Sequence, residues 1–149
     1  MYAKVRDRFQ TPNSSLQVIE ITPFKQLLER EGENFIRQHY TDLELSVSDI
    51  GERRIQYLAG RWAAKRAIID LLGNKNSILD AVAYGGNPQD RAASLSWHDL
   101  EILRLPTGQP SVTLFGQCQI IATKLEIKKW LLSISHTATH AVASVVAIV

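Results

Sequence analysis

The chain has 149 residues, of which 45% are hydrophobic and 21% charged, and its formal net charge is +2 at pH 7. This composition predicts one globular domain over residues 1–149 with a core of its own, and the small, dispersed basic excess argues against nucleic acid binding. A single cysteine excludes an internal disulfide, the N-terminus lacks the apolar segment of a signal peptide, and the longest apolar run, residues 141–149, is about half a membrane span. We therefore expect a soluble, cytoplasmic protein without membrane contact.

The first strand is expected at residues 16–21, after an extended polar lead-in over residues 1–14. The segment is short and rich in β-branched side chains. Gln17 and Glu20 lie three residues apart within it, so a regular strand places them on opposite faces.

Two capping signals predict helices after this strand. Thr22 followed by Pro23 is typical of a helix start, with the threonine as cap and the proline in the first turn. Gly32 is expected to interrupt that helix. Thr41 and Glu44 have the spacing of a capping box, which predicts a second, short helix.

The longest helical pattern covers Arg53–Leu72 and is predicted to be the central element of the fold. A capping box from Asp49 and Glu52 precedes it, and Gly73 is expected to end it in a left-handed conformation. Apolar side chains fall on two opposite sides of this helix, so we expect it to pack on both. The two sides consist of Ile55, Leu58, Trp62 and Ile69, and of Tyr57, Ala64, Ile68 and Leu71.

Four charged side chains interrupt this apolar helix. Arg61 and Lys65 are one turn apart, while Arg66 and Asp70 lie beside one of the apolar stripes. Charges in such positions are costly unless they are paired or bind a ligand. The Arg61–Lys65 row is therefore either a solvated helix face or a phosphate clamp, and the residues alone leave both open.

Strand patterns dominate the second half of the chain. Residues 74–94 are predicted to form a loop with one helical turn at 78–82, and a helix is expected at 117–125. Strands are expected at residues 95–105, 111–115, 130–134 and 141–149, the first two forming a hairpin. Helices in the first half and strands in the second indicate an α+β fold, with the long helix packed on a mostly antiparallel sheet.

His136 and His140 have the i,i+4 spacing that would place two metal ligands on one helix face. The flanking strand patterns and hydroxyl neighbours favour a turn instead, in which a histidine forms hydrogen bonds or contacts phosphate. Ser135 next to His136 is not a nucleophile–base pair, because neighbours in sequence need not face each other.

Three blocks of the sequence resemble the holo-acyl-carrier-protein synthase family of 4′-phosphopantetheinyl transferases. They are YLAGRWAAKRA at Tyr57–Ala67, HDLEILRLPTGQPSVTL at His98–Leu114, and SISHTATHAVA at Ser133–Ala143. The segment LQVIEITPF falls where that family carries its opening Gly-x-Asp-x-x-Glu segment. Order and spacing hold from about Leu16 to the end of the chain.

The resemblance implies an enzyme that moves the phosphopantetheine arm of coenzyme A to a serine of apo acyl carrier protein, as in fatty acid or polyketide biosynthesis, and releases 3′,5′-adenosine diphosphate. It implies magnesium held by two acidic ligands, one on the first strand and one on the central helix. It also implies a homotrimer with coenzyme A in clefts between subunits. The positions that it assigns to coenzyme A binding are Arg53, Arg61, Lys65, Ser135, His136 and Thr137.

The sequence departs from the family pattern at the metal site. Gln17 replaces the strand aspartate, Arg66 the helix glutamate, and Asp70 the lysine one turn further on. Since neither Gln17 nor Arg66 supplies negative charge, no magnesium is expected between them. The candidate catalytic residues are then Arg66, Asp70 and His136. Arg66 is expected either to hold phosphate oxygens in place of the metal or to form a buried ion pair with Asp70, and Asp70 or Glu20 remains open as a substitute metal ligand.

These residues leave open how active such a protein is. The first function is a phosphopantetheinyl transferase with weakened or altered catalysis. The alternative is a catalytically degenerate subunit that binds coenzyme A or a carrier protein, or that reuses the fold with an empty cleft.

Overall fold

The computed structural model of the chain describes residues 13–46, 51–74 and 96–149. In order, the elements are β1 (Ser14–Glu20), α1 (Ile21–Glu31), α2 (Glu33–His39), α3 (Asp42–Ser46), α4 (Glu52–Asn74), a 3-10 turn (Trp97–Asp99), β2 (Leu100–Arg104), β3 (Pro110–Leu114), α5 (Gly116–Lys124), β4 (Lys129–His136) and β5 (His140–Ile148). This is the predicted α+β arrangement. The expected Asp49 cap and the helical turn at 78–82 lie outside the described residues.

Both sheets are antiparallel. β1, β5 and β4 form a three-stranded sheet in that order, and β2 pairs with β3 in a separate hairpin. Ser14 is opposite Val146 and Glu20 opposite His140, while on the other side of β5 His136 is opposite Ala141. β5 is therefore the central strand and has no free edge.

α4 packs across the inner face of the three-stranded sheet, as its two-sided apolar pattern predicted. Alternate residues of β5 face it and are buried: Ala141, Ala143, Val145 and Ala147. A Cβ added to Gly60 would lie only 2.8 Å from Cγ2 of Ile134 on β4. The glycine thus allows the helix and the sheet to approach closely, at a cost in helix propensity of about 1 kcal/mol.

The other side of α4 is covered by an aromatic cluster. The ring of Trp62 lies 5.3 Å from that of Phe35, 4.8 Å from that of His39 and 4.7 Å from that of Trp97, measured between centroids. These contacts join α2, α4 and the 3-10 turn. α4 therefore has one side on a sheet and one on helices, which makes it the central element that the sequence predicted.

Two predicted helix boundaries are wrong. Thr22 does not cap α1, because the helix begins at Ile21, whose amide donates to the carbonyl of Thr139 at 2.9 Å in the turn between β4 and β5. Gly73 does not end α4, which continues to Asn74. Gly32 does separate α1 from α2, with φ at 60°.

The other local predictions that fall on described residues hold with small shifts, while most of the lead-in over residues 1–14 and of the loop over 74–94 lies outside them. The Thr41 amide donates to Oε1 of Glu44 at 2.8 Å, and the Glu44 amide donates to Oγ1 of Thr41 at 3.2 Å, so the capping box of α3 is confirmed. β2 begins at Leu100 rather than residue 95, because Trp97–Asp99 forms a 3-10 turn first. Within the described ranges, no helix combines the length and apolar character needed to cross a membrane.

Candidate active-site cleft

A cleft of about 580 Å³ opens between the first half of α4, the end of β2 and the end of β4. Its described lining consists of Leu43, Ser46, Arg53, Gln56, Tyr57, Arg61, Leu103, Arg104, Ile134 and His136. The fold thus brings together three of the six residues expected to bind coenzyme A. They are Arg53, Arg61 and His136.

The cleft is strongly basic. Its described lining holds three arginines and a histidine but no carboxylate. Arg61 is 2% exposed, whereas Arg53, Arg104 and His136 are exposed. Burial lowers the pKa of Arg61, and the charge of Arg104 acts in the same direction, against the favourable contact with Tyr57. Positive charge that converges without a carboxylate attracts anionic ligands.

Arg61 is supported by its neighbours on α4. Its guanidinium carbon lies 3.8 Å from the centroid of the Tyr57 ring, a cation–π geometry. The Tyr57 hydroxyl donates to the carbonyl of Glu44 at 2.7 Å, which fixes the ring. The Nε of Arg61 is buried and has no hydrogen-bond partner in the part of the chain that the structure describes. Arg61 is therefore held in place while part of its hydrogen-bonding capacity is unused.

Lys65 lies outside the cleft, which corrects the expectation that it binds the nucleotide. Its Nζ is 2.7 Å from Oε1 of Glu44, and both side chains are completely buried. The same ammonium donates to the carbonyls of His39 at 2.7 Å and Trp97 at 3.1 Å, so all three of its donors are used. Oε2 of Glu44 also accepts the Ile102 amide at 2.9 Å, and the pair thereby ties α3 and α4 to β2.

Of the Ser135, His136 and Thr137 segment, only His136 lines the cleft. Ser135 is exposed on β4, opposite Val142, on the face of the sheet that points away from α4. The Thr137 hydroxyl accepts the amide of His140 at 3.1 Å and so stabilises the turn. His136 and His140 lie on adjacent strands rather than on one helix face, so the predicted turn is confirmed.

The two positions that the resemblance assigns to magnesium, Gln17 and Arg66, carry no carboxylate. Ser15 Oγ donates to Oδ2 of Asp70 at 2.9 Å, so β1 contacts α4 at this point. Gln17, two residues further along β1, lies on the same helix-facing side of the strand, and Arg66 lies one turn before Asp70 on α4. Arg66 has only hydrogen-bond donors, and Gln17 offers one neutral carbonyl oxygen. Within the described ranges, no group of three His, Cys, Asp or Glu side chains could hold a metal ion.

The side chains of Arg66 and Glu20 are both exposed to solvent. Arg66 is exposed and Asp70 is half-buried, so an ion pair between them would not be a fully buried one. Ser15, Gln17 and Ile19 face the helix, whereas Glu20 points to the other face of β1, as predicted. Glu20 is thus turned away from Gln17 and Asp70.

No protein-family model matches the chain, but curated and solved proteins do. It is 37% identical over 130 residues to the holo-[acyl-carrier-protein] synthase of Dehalococcoides mccartyi, which covers 87% of this chain and 92% of that protein. The solved ACPS–CoA complex of Chronobacterium ammoniagenes superposes with a TM-score of 0.68 at 26% identity, over 91% of this chain and 95% of that one. The holo-[acyl-carrier-protein] synthase of Neisseria meningitidis has the same fold, with a TM-score of 0.69 at 21% identity over 92% and 98% of the two chains. The chain belongs to the holo-acyl-carrier-protein synthase family.

Sequence reasoning did not find Arg104 or the role of Tyr57. Arg104 lies in the block at His98–Leu114, but at the end of a hairpin strand nothing in that block marked it as a ligand contact, and it reaches the cleft because β2 lies beside α4. Tyr57 appeared as one more apolar residue on the helical wheel. Its spacing of four residues from Arg61 was the available signal, since side chains so spaced are neighbours on a helix.

Proposed function

We propose that this chain is a 4′-phosphopantetheinyl transferase that takes coenzyme A as substrate and modifies an apo acyl carrier protein. The observation that carries the proposal is the convergence of Arg53, Arg61, Arg104 and His136 in one cleft of a chain from this family. A substrate with a diphosphate and a phosphomonoester needs such positive charge. In the reaction, a serine oxygen of the carrier protein bonds to the phosphorus of the phosphopantetheine arm, the anhydride bond breaks, and 3′,5′-adenosine diphosphate leaves.

The cleft residues have distinct proposed roles. Arg61, held against Tyr57, supplies a fixed charge that needs little rearrangement when the diphosphate binds. Arg53 and His136 are exposed at the cleft and contact the nucleotide. Asp70 is anchored by Ser15 and positions the neighbouring surface of α4 rather than a metal.

Arg66 is the proposed substitute for the cation. Arg66 is exposed on α4, one turn before Asp70, and a guanidinium can hold two phosphate oxygens at once. Coenzyme A binding is then insensitive to a chelator. Adding magnesium to a calorimetric titration of coenzyme A is the direct measurement, and an affinity that depends on magnesium contradicts this role.

A homotrimer is the proposed assembly. The outer face of the three-stranded sheet, away from α4, exposes Leu16 (63%), Val18 (51%) and Leu131 (38%), side by side with Val142 and Val146. Exposed apolar surface of this kind is typical of an interface. The proposed contact between subunits therefore uses this apolar face of the sheet. A single domain and a cytoplasmic location complete the proposal.

The test of function is incubation of the purified protein with coenzyme A and several apo carrier proteins, followed by intact-mass spectrometry. A mass gain of one phosphopantetheine group supports the transferase. The second candidate is a subunit that binds coenzyme A without turnover. It is favoured by Gln17 and Arg66, which stand where the resemblance places the acidic ligands of the catalytic metal. Binding by calorimetry without any mass gain on a carrier protein would select it.

A further inference from the structure

The aromatic cluster that joins α2, α4 and the 3-10 turn contains one ring that can take up a proton. The half-buried His39 ring stacks on Phe35 with the centroids 4.1 Å apart, and it lies 4.8 Å from Trp62 and 5.6 Å from Trp97. None of the four rings belongs to the described lining of the cleft. The cluster is thus a separate structural unit whose charge changes when His39 titrates.

Hydrogen bonds at the same place join α2 to the 3-10 turn. Nδ1 of His39 lies 2.7 Å from the carbonyl of Phe35. Because a carbonyl only accepts, Nδ1 carries the first proton and a second one binds at Nε2. The Lys65 ammonium donates to the carbonyls of His39 at 2.7 Å and of Trp97 at 3.1 Å, and the His98 imidazole bonds to a carbonyl of α2. The position of the turn therefore depends on the same residues as the ring cluster.

The groups that face His39 make its charged form costly. Lys65 of α4 and His98 of the 3-10 turn oppose a positive charge there, whereas Glu31 of α1 favours it. The carboxylate of Glu44 on α3 is already paired with Lys65 at 2.7 Å. Burial is the main cause that lowers the pKa of His39 below 6.5, against its hydrogen bond to the α2 backbone. His39 is therefore neutral at pH 7, and a proton taken up in acid adds a cation beside Lys65.

β2 is anchored independently of this cluster, which confines the effect of such a charge. Leu100 and Ile102 are completely buried, and the Ile102 amide donates to Oε2 of Glu44 at 2.9 Å. Lys65 keeps its ion pair with Glu44 when the two carbonyls move away. The weak part is the contact between α2, which has seven residues, and the three-residue 3-10 turn. Short elements at an edge open at a lower free energy than the whole domain.

We infer that α2 and the 3-10 turn form an acid-sensitive switch, in which protonation of His39 separates the turn from α2 while α4 and both sheets stay folded. In the separated state the imidazole reaches water and regains an ordinary pKa of about 6.5. Proton uptake then favours separation by up to about tenfold for each pH unit below that value, until the lowered pKa of the closed state is reached. The switch does not depend on the proposed function, because the cluster lies outside the cleft.

The test is tryptophan fluorescence between about pH 8 and about pH 5. Trp62 and Trp97 are two of the three tryptophans of the chain, and contact with water shifts their emission to longer wavelength. Wild type should show this shift with a midpoint below 6.5, while far-UV circular dichroism stays constant. His39→Phe keeps an aromatic ring without a titratable group and should lose the shift. The matched control His140→Asn, at an exposed histidine of the β4–β5 turn, should retain it.

Hydrogen exchange followed by mass spectrometry locates the change. After correction for the intrinsic effect of pH, exchange at the Asp99 amide, which donates to Ser96 at 3.0 Å, should accelerate in acid, while β5 stays protected. Three results would each overturn the inference: no emission shift in wild type, an equal shift in His39→Phe, or a shift that coincides with loss of the circular dichroism signal. If His39→Phe does not fold, His39→Gln takes its place with the same expectation, since glutamine cannot take up the proton.

Discussion

Replacing Lys65 by methionine separates the structural role of this side chain from a role in ligand binding. Lys65 and Glu44 are 2.7 Å apart and completely buried, so methionine removes the cation and leaves a carboxylate without its partner. Two backbone amides, of Thr41 at 2.8 Å and Ile102 at 2.9 Å, still donate to that carboxylate. Breaking one partner of a buried pair typically costs about 3–5 kcal/mol, and the surviving hydrogen bonds favour the lower end of that range.

Urea denaturation measures this loss directly. In thermal denaturation, a loss of about 3 kcal/mol in the free energy of unfolding lowers the midpoint of a chain of this size by roughly 10 °C. The double variant Lys65→Met with Glu44→Leu should lose less than the sum of the single variants, because it removes both buried charges together. The affinity of the folded Lys65→Met protein for coenzyme A should stay unchanged.

Two outcomes would refute this reasoning. One is a loss of stability below about 1 kcal/mol, the range of a solvent-exposed pair. The other is a loss of coenzyme A affinity as large as that of Arg61→Gln, which would mean that the ammonium reaches the cleft when ligand is present.

Three further predictions concern packing, assembly and pH. Gly60→Ala should destabilise the folded protein by about 1–2 kcal/mol despite the better helix propensity of alanine, since the added methyl would lie 2.8 Å from Ile134. Urea denaturation should show a smaller loss when Ile134 is also replaced by alanine. Light scattering should give three times the 16.7 kDa subunit mass, with Leu16→Lys shifting the protein to monomer, and a monomeric wild type would contradict the trimer. Burial lowers the pKa of His39 below 6.5, so the imidazole binds a proton in the unfolded chain at a higher pH than in the folded chain. The free energy of unfolding should therefore fall as the pH drops below about 6.5, and His39→Phe should make this pH dependence shallower. An equal pH dependence in both proteins would assign it to other groups.

Features set by neighbouring residues were predictable from the sequence. The capping box of Thr41 and Glu44, the break at Gly32 and the two-sided character of α4 depend on side chains a few positions apart, and all three are present. The start of α1, which was predicted wrongly, depends on a distant group. Ile21 donates to Thr139, and no local signal announces that bond.

Some residues of the candidate site were also predictable from the sequence, and others are placed only by tertiary packing. Arg61 and His136 belong to sequence blocks with a family resemblance, and both line the cleft. Lys65 belongs to the same block as Arg61, but its side chain points away from the cleft to Glu44, which reaches it only after α3 packs against α4. Arg104 enters the cleft through the position of a hairpin, which the pattern of the hairpin itself does not specify. Long-range packing therefore decided which of the charged side chains face a ligand.

The most direct test of the central claim, that this cleft binds coenzyme A for transfer, is a paired measurement on Arg61→Gln. Calorimetry should show coenzyme A affinity falling about tenfold or more, because the fixed charge against Tyr57 is lost, while the control Arg30→Gln, at an exposed position of α1, binds as wild type does. Intact-mass spectrometry should show phosphopantetheine transfer to an apo carrier protein falling in parallel. Wild-type affinity and wild-type transfer by a folded Arg61→Gln protein would contradict the account.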